Sequence, residues 1–532
     1  MAMTLAMASA AAGQGAPVVR SPAGAVQGAS EGGILIFKGI PYAAPPVGKG
    51  RWAPPRRAAK WTGVRNALNY GPTCWQPIGR GLYADPPAAM SEDCLSLNIW
   101  TPAGARPAPV MVWIHGGSLR SGAGSEAMFD GTRLARQGIV VVSINYRLGV
   151  LGYLAHPQLS AESADHVSGN YGLLDQIQAL RWVRANIAAF GGDPANVTVA
   201  GESAGGLSVM YLMASPPARG LFNKAIAESA YMISTPELRR DAFGARSAEA
   251  SGEALAARLK VSGIAQLRAI DAKTLIERSA GFAPFGAVDG KFLPRQLVDV
   301  FDRGEQARVP ILTGFNSGEI RSLRTLAPPT PANAQVYEAA IRERYGELSS
   351  AFLKFYPSDN LLESDLAWTR DGLYGWTAER LVRKQIAIGQ PGFLYFFDHG
   401  YPAADNAGLH GFHASELPFV FGTFDKLPAE WPRPPSDARE QALSEAMTAY
   451  WASFVKTGAP SAPGQPAWAT FASQASYMAF EDRPRAGSDL FPGRYELHEA
   501  VICRRRAVGL IAWNWNYGTA SPPLPPKAPG CG

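Results

Sequence analysis

The chain has 532 residues, 47% of them hydrophobic and 18% charged, with a formal charge of +6. That is enough apolar material for a large packed core, which argues against a disordered or fibrous chain, while 56 glycines and 43 prolines indicate many loops. The positive charge is thinly spread: the one dense run, Arg504-Arg505-Arg506, reads as a solvated helix face, so nucleic-acid binding is not indicated. No stretch approaches the roughly 18 apolar residues that cross a bilayer.

Met1 to Gln14 is rich in Ala and Met. It reads as the tail of a signal peptide with Ala8-Ser9-Ala10 as its cleavage site, or as a plain leader, since the positive n-region is missing. This divides the chain into a leader (1–16), a catalytic domain (17–517) and a Pro-rich tail (518–532), and it favours a secreted or periplasmic protein. Strands are predicted at 33–37, 109–114, 139–144, 197–200, 225–227, 309–313 and 393–397. The inner ones are nearly continuous in β-branched residues, which suits a sheet covered on both faces. A helix is predicted over 173–189, with apolar residues at Leu174, Ile177, Leu180 and Val183. Residues 245–280 and 330–385 read as mainly helical and would cap one end of the sheet. Strands alternating with helices give an α/β fold with a large, mostly parallel central sheet.

Gly201-Glu202-Ser203-Ala204-Gly205 fits G-x-S-x-G, directly after a predicted strand and before a helix over 206–213. In that setting the serine sits in a strained turn with its hydroxyl pushed outward, above a helix N-terminus that favours negative charge. The bland alternative is a Gly-rich helix start capped by Ser203. His115-Gly116-Gly117-Ser118 follows the strand ending at Ile114 and can turn backbone N–H groups toward an oxyanion, with Ala204 adding a further donor. His115 reads as structural here rather than as a base.

These segments resemble the type-B carboxylesterase/cholinesterase family of α/β-hydrolases, from about Val18 to Trp515. The resemblance rests on Phe37 to Ala43, Glu92 to Trp100, Asn145 to Gly149, Gly169 to Gln176 and Phe190 to Gly206. It implies an α/β-hydrolase fold, a Cys74–Cys94 disulfide and oxyanion donors at Gly117 and Ser118, the latter in place of the usual glycine. Leu119 stands where the family has an aromatic residue. The four cysteines by themselves allow three pairings, of which Cys503 with Cys531 would tie down the tail; no pair has zinc-ligand spacing.

A serine nucleophile needs a base. Gly411 to Gly422 resembles the family's catalytic-histidine loop and assigns His413, with His410 as competitor. Gly314 to Glu319 resembles the acid loop and assigns Glu319, with Asp289 as rival. The resemblance also places Glu202 near the histidine and makes Ser229 a supporting residue bonded to the triad. The expected activity is hydrolysis of a carboxylic ester through an acyl-enzyme, with no metal or organic cofactor. Arg120, with Arg321 and Arg324, would bind a carboxylate on the acyl group, as for fumonisin-type toxin esterases of the family; the alternative is structural pairing. Leu119 and Tyr231 join Arg120 as predicted substrate contacts. The partner is a small-molecule ester. The rival readings are an amide or carbamate hydrolase with the same triad, and a non-catalytic cholinesterase-like binding protein.

Overall fold

The computed structural model describes residues 16–104, 107–514 and 517–531. The predicted leader, apart from residue 16, lies outside them. An eleven-stranded sheet forms the centre. Its strands in chain order are β1 (Ala29–Glu31), β2 (Ile34–Pro41), β3 (Ser96–Pro102), β4 (Ala108–Ile114), β5 (Val140–Ile144), β6 (Gly192–Glu202), β7 (Lys224–Glu228), β8 (Ile311–Asn316), β9 (Gly392–Phe397), β10 (Ser476–Phe480) and β11 (Pro484–Ser488). The spatial order is β11-β10-β9-β8-β7-β6-β4-β5-β3-β2-β1. Pairing is parallel from β5 to β10 and antiparallel at both edges.

The continuous apolar runs follow from burial on both faces. Val110, Val112 and Ile114 of β4 join one core, while Met111 and Trp113 join the other. Alternate side chains of a strand point to opposite faces, so a sheet clad on both sides has no polar face to alternate with. Helix α1 (Tyr171–Asn186) and helix α2 (Ala204–Ala214) cover the first face. On the second, a short helix, α5 (Leu417–Phe421), lies beside a twenty-residue helix, α6 (Ala438–Thr457), which buries Leu443, Met447, Tyr450, Trp451, Phe454 and Val455.

The sequence did not single out β3, the β10–β11 hairpin or α6. Strand β6 begins earlier than predicted, at Gly192, with a register break before Val197. The two predicted cap segments are helical, and the second is interrupted by a π-helical turn at Asp371–Gly375 that leads into helix α4 (Trp376–Ala387). The Arg504 to Arg506 run lies on helix α7 (Arg494–Val508) and is not a solvated face. Arg504 pairs with Glu347, and Arg506 pairs with Asp299 at 2.7 Å, so these charges dock the helix. Disulfides join Cys74 to Cys94 and Cys503 to Cys531. Among the described residues no helix is long and apolar enough to cross a membrane.

Candidate active site

The predicted nucleophile follows the C-terminal end of β6. Its backbone is strained: Ser203 has φ 57° and ψ −120°, a region that residues with a Cβ rarely enter. Neighbours hold the turn from both sides. The Ser203 N–H donates to the Glu228 carbonyl at 2.9 Å, and the Leu207 N–H donates to the Ser203 carbonyl at 2.9 Å. The Ser203 side chain makes no capping bond to α2, so the bland reading fails and the hydroxyl is not spent on the helix. Close approach explains Gly205: a Cβ there would sit 2.1 Å from the Ile114 carbonyl oxygen.

The glycine loop after β4 lies against this turn. A Cβ on Gly116 would come within 3.2 Å of the Ser203 Cβ. Gly117 has φ 92°, and a Cβ on it would lie 2.2 Å from the Ser121 carbonyl oxygen, so only glycine fits. Ser118 adopts φ 56° and accepts the left-handed geometry despite its Cβ. The Gly117 carbonyl is used inward, by the N–H groups of Arg120 at 2.9 Å and Ser121 at 3.0 Å. Among the described residues, neither the Gly117 nor the Ser118 N–H donates to a protein acceptor. Ala204 opens α2, so its N–H has no acceptor within the helix. His115 is structural, as expected: its ring stacks on Tyr146 with centroids 4.5 Å apart, and burial pulls it down to about 4.

The predicted acid and base come together. Glu319 opens a short helix, α3 (Glu319–Ser322), just beyond β8, and His413 follows β9. Their loops are zipped by backbone: the Gly318 N–H donates to the Gly411 carbonyl at 2.7 Å. Asn316 braces both, donating through Nδ2 to the Phe412 carbonyl at 2.8 Å and through its N–H to Glu319 Oε1 at 2.9 Å. His413 Nδ1 lies 2.5 Å from Glu319 Oε2. The other ring nitrogen, Nε2, lies 3.0 Å from Glu202 Oε1, the chain neighbour of Ser203. That contact lacks hydrogen-bond alignment, so it acts through charge. Burial alone would lower the His413 pKa, but the Glu202 and Glu319 carboxylates overcome it and push it up to about 9. Burial raises Glu202 to about 7, against the pull of His413.

Two further buried acids, neither assigned a role from sequence, stand behind the site. Glu228 accepts from Trp451 Nε1 at 2.8 Å, and Glu416 accepts from Asn316 Nδ2 at 2.5 Å. Burial raises both, Glu228 to about 8, with the Glu202 charge adding to each. Two aromatic rings frame His413 and were also missed. Tyr374, on the π-helical turn, lies 5.4 Å from it between centroids, and Tyr83 lies 6.3 Å away. Tyr231, predicted to touch substrate, packs against Tyr374 at 6.2 Å.

Several expectations need correction. Leu119 is fully buried in the core and offers no surface to a substrate, because its turn points it inward under the loop. Ser229 is buried next to Glu228, but among the described residues its Oγ has no partner, while its N–H donates to the Gly314 carbonyl. Arg321 pairs with Glu363 and Arg324 with Asp365, so both are structural. The rivals fall away: Asp289 accepts three successive backbone N–H groups of a turn, and His410 is held between Asp398 and Asp405. Among the described residues no group of His, Cys, Asp and Glu is placed to hold a metal ion.

A nucleophile elbow, glycine loop and His–Glu pair at the C-terminal ends of parallel strands define a serine hydrolase of the α/β-hydrolase fold. The model described as the carboxylesterase family matches residues 15–497, and the chain belongs to that family as a type-B carboxylesterase, a hydrolase of carboxylic esters. It is 36% identical to the fumonisin B1 esterase of Sphingopyxis macrogoltabida, over 89% of this chain and 88% of that protein. It is 38% identical to the para-nitrobenzyl esterase of Bacillus subtilis, over 84% of this chain and 90% of that one. A solved PNB esterase superposes with a TM-score of 0.78 at 33% identity, over 90% of this chain and 99% of that one. A carboxylesterase of Geobacillus stearothermophilus gives 0.77 at 32%, with the same coverage.

Proposed function

We propose that Ser203, His413 and Glu319 carry the ester hydrolysis in two acyl-transfer steps. His413 Nε2 takes the Ser203 proton as Oγ attacks the ester carbonyl carbon. The N–H groups of Gly117, Ser118 and Ala204 hold the resulting oxyanion. The C–O bond to the alcohol breaks, and the alcohol leaves with the proton from His413. Water, deprotonated by His413, then attacks the acyl-enzyme, and Ser203 recovers its proton as the acid leaves. Glu319 fixes the imidazole tautomer through Nδ1 and stabilises the imidazolium. The carrying observation is the 2.5 Å pairing of His413 Nδ1 with Glu319 Oε2, which turns Nε2 toward the Glu202–Ser203 turn.

Labelling with a fluorophosphonate tests this. Wild type is expected to label at one site and lose activity, and Ser203→Ala to take no label; labelling of Ser203→Ala at the wild-type rate would refute the assignment.

One observation favours a second, narrower reading, a preference for carboxylate-bearing acyl groups. Arg120, half-buried and just past the oxyanion loop, donates to the Phe282 carbonyl at 2.8 Å, yet among the described residues it has no carboxylate partner. A similar protein is a fumonisin B1 esterase. Neutral and carboxylate-bearing esters of one alcohol separate the readings: Arg120→Ala should lower kcat/KM for the charged ester alone, and an equal effect on both would remove the idea. The two disulfides fit a secreted or periplasmic protein whose catalytic domain spans 17–517.

A further inference from the structure

Tyr83 belongs to the loop closed by the Cys74–Cys94 disulfide, far in sequence from every residue given a catalytic role. Its hydroxyl lies 2.7 Å from Ser322 Oγ and 3.0 Å from the His413 carbonyl oxygen. A phenol has one proton, and a carbonyl can only accept. The Tyr83 hydroxyl is the donor in both contacts, its one proton shared between Ser322 Oγ and the His413 carbonyl, and Ser322 Oγ donates onward to the Glu319 carbonyl at 3.5 Å. Ser322 ends the short helix that Glu319 opens, and His413 carries the ring that Glu319 orients. The phenol thus ties the segment of the acid to the main chain of the base from outside the sheet. Its ring stands edge-on to His413 and to Trp431, with centroids 6.3 and 5.8 Å apart, and Trp431 in turn packs on Phe412 at 4.9 Å. Tyr83 is nonetheless 38% exposed, so it is no core residue whose loss must unfold the chain.

We infer that Tyr83 is a positioning residue for the ester hydrolysis: through Ser322 and the His413 carbonyl it sets the register between Glu319 and the catalytic imidazole, which makes the Cys74–Cys94 loop a working part of the triad. The inference rests on the triad assignment above. It acts on His413 from its carbonyl side, so a phenol that only lined the entrance would have a different kinetic signature.

Tyr83→Phe keeps the ring and removes the tie; Ser322→Ala removes the other partner at small cost in packing. With a soluble para-nitrophenyl ester, each variant should lower kcat about 5- to 20-fold with KM within about twofold, the effect of losing a bond that orients rather than binds. The double variant should be no slower than either single one, because the three groups form one chain. The acidic limb of the kcat/KM profile should also move, since a loosened His413–Glu319 pair holds its proton differently. Wild-type kcat in Tyr83→Phe, a raised KM at unchanged kcat, or additive losses in the double variant would each overturn the inference. Should Tyr83→Phe fail to fold, Ser322→Ala decides alone. An inactive, unlabelled wild type would sink the triad assignment instead, which keeps the two failures apart.

Discussion

The two halves of the proposed active site are built by different means. On the nucleophile side, backbone does the positioning: strand end, strained turn, helix start and glycine loop lie within a few residues of Ser203 or directly against it. On the base side, side chains do it. His413 is held by Glu319, by Asn316 through the neighbouring carbonyl, by the charge of Glu202, and by rings from two remote segments. A backbone-built site is intolerant of any added atom nearby and indifferent to distant change. A side-chain-built site accepts local variation but depends on elements far along the chain.

Three substitutions sharpen that contrast. The largest effect is expected on the base side: Glu319→Gln keeps the shape but cannot stabilise an imidazolium or enforce its tautomer, and kcat should fall about 10³–10⁴-fold in steady-state hydrolysis. A loss under tenfold would mean another group orients His413. Next, Gly117→Ala puts a Cβ into the Ser121 carbonyl at a backbone angle alanine avoids. The loop must shift, and kcat should drop about 10²–10³-fold, the cost of one misplaced oxyanion donor; near-normal turnover would show that the donors lie elsewhere.

The smallest effect separates charge from shape. In the proposed mechanism His413 works as a base only when neutral, and the Glu202 carboxylate beside Nε2 favours its charged form, with the imidazolium pKa raised to about 9. Glu202→Gln removes that charge, so the imidazolium should lose its proton more readily. The half-rise of kcat/KM should then move to lower pH, by roughly one unit. Because Glu202 itself is raised to about 7, the wild-type limb reports the pair rather than either group. An unmoved limb would place Glu202 outside the proton balance.

The same contrast explains what could be read in advance. The strained turn at Ser203, the glycine loop beside it and the inner strands were legible because their causes are local: glycines at fixed offsets and continuous β-branched runs. The pairing of His413 with Glu319 was legible only through resemblance, since nothing in either loop alone distinguishes them from His410 or Asp289. Tyr83 and Tyr374 were not legible at all. The Tyr83 contact spans 330 residues, and Tyr374 reaches His413 from a π-helical turn that no periodicity announces. Leu119 and Ser229 were misjudged for a related reason: a position carried over from a family fixes the backbone neighbourhood, but not where this chain's own side chain finds room or a partner.

The C-terminal helix α7 reaches the same π-helical turn from the other side. Arg494 holds Asp371 at 2.6 Å, His498 meets Tyr356 at 2.9 Å, and Glu499 accepts from Trp376 Nε1 at 2.7 Å. Tyr356 in turn donates to Asp371 at 3.0 Å. Cutting the protein back to residue 493 would leave every member of the proposed triad in the polypeptide yet strip the buttress from the segment carrying Tyr374. Anyone shortening this enzyme for engineering should therefore regard the stretch from Arg494 to Cys531 as active-site scaffolding, and place fusions beyond Cys531.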